Sequence, residues 1–499
     1  MLRNVCSITQ LISEVNSFSR YTGLTLNVDK SEIYAIQRNS NESFAKVPFR
    51  LQPASFKILG ITLGRDNTTK TESNVSNKLV SMQKCLVRWS QRNLSLLGKI
   101  LVTKTHAVAK LVHTMTIINM SKAQIHDIQK TLNRFIWSNK PARVKHSVLA
   151  SSFEEGGLNS LDVECQYKAL RIPWIWRILR SANWNAVINN KLKPLGGANL
   201  LIQCNYDKNT LRLLPKFYKE IFIFWQEIVS HLGWDEMIVW NNKEIKVSNK
   251  TVFVEELFRH NVVYIHDFFQ NDIFLTYDNF CLKYSVKISF RLYQNIVKAI
   301  QRYINRDPNI EAKLNLPKPR YCATKTYFRL WSGKYVDLKK AKSKQFYQEF
   351  LLDKTGFASA LTHWQQSQNL REEIFYNSLP RTINATNETK LLAFQFKVIH
   401  NIINNNSNLY KWKIKDTDTC TYCNEQAPDN VVHEFTGCSW SRRVIVQIAR
   451  ELNLLSEFKK ITKTEFIFGV NDPSINNIIL IIKQKIHMVR QNETTFTRT

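Results

Sequence analysis

The sequence predicts an α+β chain that is predominantly α-helical, and three observations predict it. Apolar residues recur at steps of three and four through most of the chain, the pattern of helices buried along one face. Alternation of apolar and polar residues, the mark of strands, is confined to short runs before position 65. With 499 residues, 44% hydrophobic and 11% aromatic, the chain is long enough for several cores, about three by length alone.

In order along the chain, Ile8, Leu11, Ile12, Val15 and Phe18 are spaced for a short amphipathic helix behind a Ser7 cap. Gly23 punctuates, Leu24 and Leu26 alternate with polar residues, Ile33 to Ile36 reads as a second strand, and 56–64 reads as a third with Gly60 inside it. A helix with three short strands is too little for a domain and reads as the end of one. Val75, Leu79, Met82, Leu86 and Trp89 predict a long helix, and the segment around Gly98 a second. Ser121 with Gln124 forms a capping box for a third, which carries Ile125, Ile128, Leu132, Phe135 and Ile136. Within the next helix Pro173 removes a backbone donor and predicts a kink before Trp174 and Trp176.

The run 193–199 reads as a boundary. The aromatic-rich stretches in 216–305 are either core or base-stacking platforms, with core favoured by their helical spacing. Arg306 to Arg320, with Pro308, Pro317 and Pro319, reads as a linker, and so does the polar run 379–390, which would isolate the C-terminal segment. Between them Lys339, Lys340, Lys342 and Lys344 form the densest positive cluster, a phosphate-contact surface or a solvated face. The last segment starts at Leu391 and closes with a helix opened by Asp472 and Pro473, carrying Ile475, Ile478, Ile479, Ile482, Ile486 and Val489.

Chemistry concentrates in Cys420 to Cys438. Two residues separate Cys420 from Cys423, nine separate Cys423 from His433 and four separate His433 from Cys438. Thiolate and imidazole ligands at these spacings close a tetrahedron around Zn²⁺. A shell of three cysteines and one histidine leaves no position for water, so the expected role is structural. His400 reads as a packed helix residue rather than a fifth ligand. The other five of the nine cysteines read as reduced thiols, because an odd number in a long chain is not a disulfide framework.

Seventy basic against forty acidic side chains give a formal charge of +30, spread along the whole chain. Such an excess points to a polyanionic partner, RNA or DNA, with a merely basic protein as the alternative. The start carries one basic residue and no apolar block of signal-peptide length, and runs such as 478–482 are far short of a membrane span. The expectation is an intracellular chain, cytoplasmic or nuclear, in a ribonucleoprotein and not in a membrane.

Several segments together resemble one family. Phe18, Gly23-Leu24-Thr25-Leu26-Asn27, Lys30-Ser31-Glu32 and Phe56-Lys57-Ile58-Leu59-Gly60-Ile61 look like the last palm motifs of LINE-type non-LTR retrotransposon reverse transcriptases. Arg92-Asn93-Leu94-Ser95-Leu96-Leu97-Gly98-Lys99, Phe135-Ile136-Trp137 and Gly156-Gly157-Leu158 are similar to the thumb of the same enzymes. Trp240-Asn241-Asn242 and Ile265-His266-Asp267-Phe268 resemble their connector, and Phe394 to Cys438 their C-terminal cysteine-histidine module, with Cys420, Cys423, His433 and Cys438 at the ligand positions.

The resemblance implies the end of a palm at 1–66, a thumb-like helical domain at 70–190, a connector at 200–305, a basic helical segment at 321–380 and a zinc module at 391–499. It implies RNA and DNA contacts through the backbone, with Lys30, Lys57 and Gly60 in the palm motifs and Lys99 and Lys104 in the thumb, joined by Lys339, Lys340, Lys342 and Lys344. The family's catalytic strand carries paired aspartates, and this sequence contains no Asp-Asp pair. Two-metal phosphoryl transfer needs such carboxylates, so the expectation is a chain that is not an enzyme on its own, with Mg²⁺ relevant only if the missing palm is supplied. The alternatives are a non-catalytic portion of an active polymerase and a zinc-dependent protein-interaction scaffold.

Overall fold

A computed structural model describes residues 6–34, 48–52, 55–64, 67–180, 188, 190–229, 236–354 and 358–496. Among them the chain is mostly helical, with five two-stranded sheets. The first helix, Cys6–Thr22, is followed by open chain in which Leu24 is 69% exposed, so the expected strand at Leu24 and Leu26 does not form. The Asn27 side chain accepts from the Lys30 amide and its carbonyl accepts from Ser31 Oγ, closing a turn that diverts the chain from pairing. Glu32–Tyr34 pairs in parallel with Arg50–Gln52; Ala35 and Ile36 of the expected strand lie outside the described residues.

The third expected strand is a hairpin. Ser55–Ile58 pairs antiparallel with Ile61–Gly64, and Leu59 and Gly60 form the two-residue loop with φ of 47° and 81°. Left-handed φ at both positions is what a tight hairpin loop demands, and Gly60 meets it without strain. Asn74, on the next helix, donates to the Thr62 carbonyl and accepts from the Thr62 amide at 2.8 Å each, tying the hairpin to Asn67–Ser90.

Helices Asn67–Ser90, Leu96–Val102, Ala109–Ile117 and Lys122–Ile136 form a bundle closed over Met82, Val108, Leu111, Met115, Ile128 and Leu132. A π-helical turn, Thr103–Val108, links the second to the third. Ser121 and Gln124 make the expected reciprocal cap. Pro173 separates Val163–Arg171 from Trp174–Arg180. Arg171, fully buried, donates to the Met115 carbonyl at 2.8 Å, to the Ile118 carbonyl and to Asn119 Oδ1 at 3.0 Å. One guanidinium therefore caps the C-terminal carbonyls of Ala109–Ile117, which would otherwise be buried unpaired.

A second core joins 165–229 to 237–310 and to 328–350. The aromatics of 216–305 are mainly core: Trp225, Trp240, Phe268 and Phe280 are fully buried, and the Phe268 and Phe280 rings stack at 5.0 Å. Arg306 to Arg320 is not all linker, because Asp307 caps and Pro308 opens the helix Pro308–Leu314, where proline's missing donor costs nothing.

The third core draws Leu96, Ile100, Ile136, Val148, Leu149 and Leu158 together with residues 358–486. Most of the expected linker 379–390 is helical: Glu372–Ala385 runs through Pro380, with Leu379 and Thr382 fully buried. A polar sequence hides this packing because Ser378 Oγ accepts from Gln395 Nε2 and Thr382 Oγ1 donates to the Ser378 carbonyl. Gly157 marks a close approach in the same core; a Cβ there would lie 2.1 Å from the Ser151 carbonyl oxygen. Thr389–Ile399 and the closing helix Pro473–Phe496 complete it, with Asp472 accepting from the Ile475 amide. No helix among the described residues is long and apolar enough to cross a membrane.

Candidate metal centre

Three local devices converge on one point. An isolated bridge between Thr419 and Pro428, with the Cys420 amide donating to the Ala427 carbonyl at 2.9 Å, pinches the chain into a knuckle that carries Cys420 and Cys423. A π-helical turn, His433–Gly437, presents His433, with the Asn430 side chain accepting from the His433 amide. Cys438 then stands at the N-cap of Ser439–Glu451.

The four ligand atoms lie within 4.8 Å of one another, with Cys420 Sγ 4.0 Å from Cys438 Sγ and Cys423 Sγ 3.4 Å from His433 Nε2. A tetrahedron with metal–sulfur bonds of about 2.3 Å and metal–nitrogen bonds of about 2.0 Å sets its ligand atoms roughly 3.5–3.8 Å apart. The observed separations bracket that range, and the three cysteines and one histidine could hold a metal ion. The thiols differ electrostatically. Burial pushes Cys420 up to about 12. At Cys438 burial pushes the same way, but the Ser441 amide at the helix N-terminus and Arg490 outweigh it and hold this thiol below its ordinary value.

Arg490, from the closing helix, stands behind the group. It donates to Asp429 Oδ1 at 2.7 Å, to Ser441 Oγ at 3.2 Å and towards Cys420 Sγ at 3.9 Å, and lies 4.8 Å over the Tyr422 ring. Arg490 and Asp429 are both buried, so each needs the other. Sequence spacing gave no sign of this pair, since Arg490 lies seventy residues from Cys420. His400 lies apart from the group: its Nε2 meets the Gly156 carbonyl at 2.7 Å, its ring sits 4.3 Å from Phe396, and burial lowers its pKa to about 4.

The lysines singled out in the sequence fall in several places. Lys30, Lys57 and Gly60 are exposed on the N-terminal segment. Lys99 is half-buried beside Ser138; burial first and Lys140 second hold its ammonium below its ordinary pKa. Lys397 reaches the same place from the other end of the chain. It keeps solvent contact, yet desolvation and then Lys99 and Lys140 lower its pKa. Lys339, Lys340 and Lys342 are exposed between Tyr335–Asp337 and Ser343–Leu352, and Lys344 is exposed in the first turn of that helix. Lys104 and Lys344 share one cleft, to which Lys334, not singled out in the sequence, also belongs.

No known protein-family description matches the chain. Over 159 residues it is 25% identical to an Arabidopsis thaliana protein named "Putative ribonuclease H protein", an alignment that covers 29% of this chain. The chain spans 24% of that relative's length.

Proposed function

We propose that the chain is a retroelement-related, nucleic-acid-binding protein derived from a LINE-type reverse transcriptase, with Zn²⁺ held by Cys420, Cys423, His433 and Cys438 as a structural ion. The observation that carries this reading is the Cys3His group, which stands at the end of an ordered series of motifs resembling that family. The likeness to a protein named for ribonuclease H supports a retroelement origin. A charge of +30 supports binding through phosphates, largely independent of base sequence. Without an Asp-Asp pair the 499 residues have no evident site for two Mg²⁺ ions, so the chain does not polymerise by itself.

The test is RNA binding across a salt series, alongside primer extension with Mg²⁺, on one preparation of the full chain. The expected result is affinity that falls steeply with salt and no extension. Affinity unchanged by salt would remove the phosphate-binding reading, and extension would make the chain a polymerase.

A further inference from the structure

The cleft shared by Lys104 and Lys344 lies between parts of the chain far apart in sequence. Its volume is about 640 Å³, within the roughly 300–1,000 Å³ of small-ligand sites. One wall comes from Leu96–Val102 and the π-helical turn after it, which supply Leu97, Leu101 and Lys104. The facing wall is Ser343–Leu352, with Lys344, Leu351 and Leu352, and Lys334 enters from the hairpin between Tyr327–Arg329 and Tyr335–Asp337.

Two features of this cleft call for a ligand with both an apolar and an anionic part. Leu101 and Leu352 line it while 57% and 40% exposed, so its apolar surface is open to water. The three lysines are in no ion pair among the described residues, and the two carboxylates present are engaged. Glu155 accepts from the Ser152 amide, and Glu349 accepts from the Ser332 amide and Oγ. Lys104 is partly withdrawn from water with no anion beside it, and burial alone lowers its pKa. The hairpin that brings Lys334 also carries Trp331 and Tyr335, 55% and 73% exposed, the residue types on which bases stack.

We propose that this cleft binds a nucleoside phosphate, its base against Leu97, Leu101 and Leu351 and its phosphate on Lys104, Lys334 and Lys344. This rests on the reading of the chain as a nucleic-acid binder and adds a site to it. The same chemistry is offered by a free mononucleotide and by the terminal nucleotide of a strand.

The experiment is calorimetric titration of the full chain with AMP and with adenosine, beside anisotropy of a labelled single-stranded RNA. Both substitutions sit at exposed positions: Lys344→Ala removes one phosphate contact and Leu101→Trp fills the apolar mouth. The expected result is that AMP binds, that adenosine binds at least about tenfold more weakly, and that each variant weakens AMP by a similar factor. AMP that fails to bind, or that binds both variants like the wild type, overturns the proposal. If RNA still binds in that case, only the cleft assignment fails. If AMP binds as expected while RNA does not, the cleft stands and the nucleic-acid reading fails. Competition distinguishes the sources: AMP displacing a 5′-phosphorylated RNA assigns the cleft to a strand end, and AMP bound without displacement assigns it to the free nucleotide.

Discussion

Residues 6–64 and residues 389–496 make opposite use of their apolar side chains. In the first, Ile8 and Ile61 are buried, while Phe18 is 58%, Leu24 69% and Leu59 87% exposed. In the second, Phe394, Phe396, Val398, Ile399, Phe435, Ile479 and Ile482 are all buried in one core. Both segments are helical in part and both are rich in large apolar residues, so composition does not separate them. What differs is the second layer. Thr389–Ile399 has Glu372–Ala385 and the closing helix packed on it, whereas among the described residues the hairpin at 55–64 packs on one helix, Asn67–Ser90, and on the short strand Glu32–Tyr34, with Ile58 still 49% exposed. An apolar surface of that kind is prone to association.

The candidate metal site offers the largest test of this contrast. Cys438→Ser is expected to abolish stoichiometric zinc, measured by elemental analysis of the full chain, and to destabilise the C-terminal core by several kcal/mol, part of the ~10–16 kcal/mol that such sites contribute in small domains. If 379–390 were a linker, the damage would stop there. The core instead includes Leu149 and Leu158, and the His400 ring binds the Gly156 carbonyl, so hydrogen exchange should quicken at 146–160 as well as at 420–438. The N-terminal segment should exchange as before. Deprotection confined to 420–438 would mean that the shared core carries no coupling, and zinc retained by the variant would remove one of the four ligands.

How much of the molecule was legible depends on how local each cause is. The capping box at Ser121 and the helix opened by Asp472 and Pro473 depend on neighbours within four residues and appear where the sequence places them, while the kink expected at Pro173 is a full break between two helices. The Leu59-Gly60 loop was missed because Ile58, Leu59 and Ile61 make a nearly continuous apolar run through it, and only a left-handed φ distinguishes a turn from a strand there. The continuation of the helix Glu372–Ala385 into the expected linker was missed because its buried Ser378 and Thr382 look like polar loop until Gln395 supplies Ser378 with a partner from another helix. Within the candidate sites, the four possible ligands are close in sequence, but Arg490 behind them and Lys334 beside Lys104 arrive through tertiary packing alone.

A buried lysine gives a smaller effect inside the well-packed region. Lys483 is fully buried, donating to Gln395 Oε1 at 2.7 Å and to the Ile467 carbonyl at 2.9 Å, and burial brings its pKa down to about 7. The unfolded chain keeps an ordinary lysine near 10.5. Between these values the unfolded state binds more protons than the folded one, so stability rises with pH across the window and levels off below about 7. Lys483→Met should remove this contribution to the slope. At neutral pH it should add a few kcal/mol, less the ~1 kcal/mol lost by leaving the Gln395 acceptor unpaired. Denaturant titrations of both proteins from pH 7 to pH 9 read the difference, and parallel curves would show that Lys483 stays charged in the core.

The smallest effect belongs to the open segment. Leu59 holds φ of 47° with its side chain 87% exposed, so it bears the strain of a left-handed residue and gains no burial in return. Asparagine tolerates that conformation, and Asn-Gly is the preferred sequence for such a loop. Leu59→Asn should therefore stabilise the hairpin by ~0.5–1 kcal/mol. The gain should slow amide exchange at Ile58 and Ile61 and leave the global unfolding transition unchanged, since among the described residues the hairpin is held by Asn74 on the helix Asn67–Ser90 and by the short strand Glu32–Tyr34, whose Tyr34 ring lies 4.6 Å from Phe56. A rise in the global transition would show that 55–64 is part of the cooperative unit, and the contrast between the two ends would then lie in exposure and not in coupling.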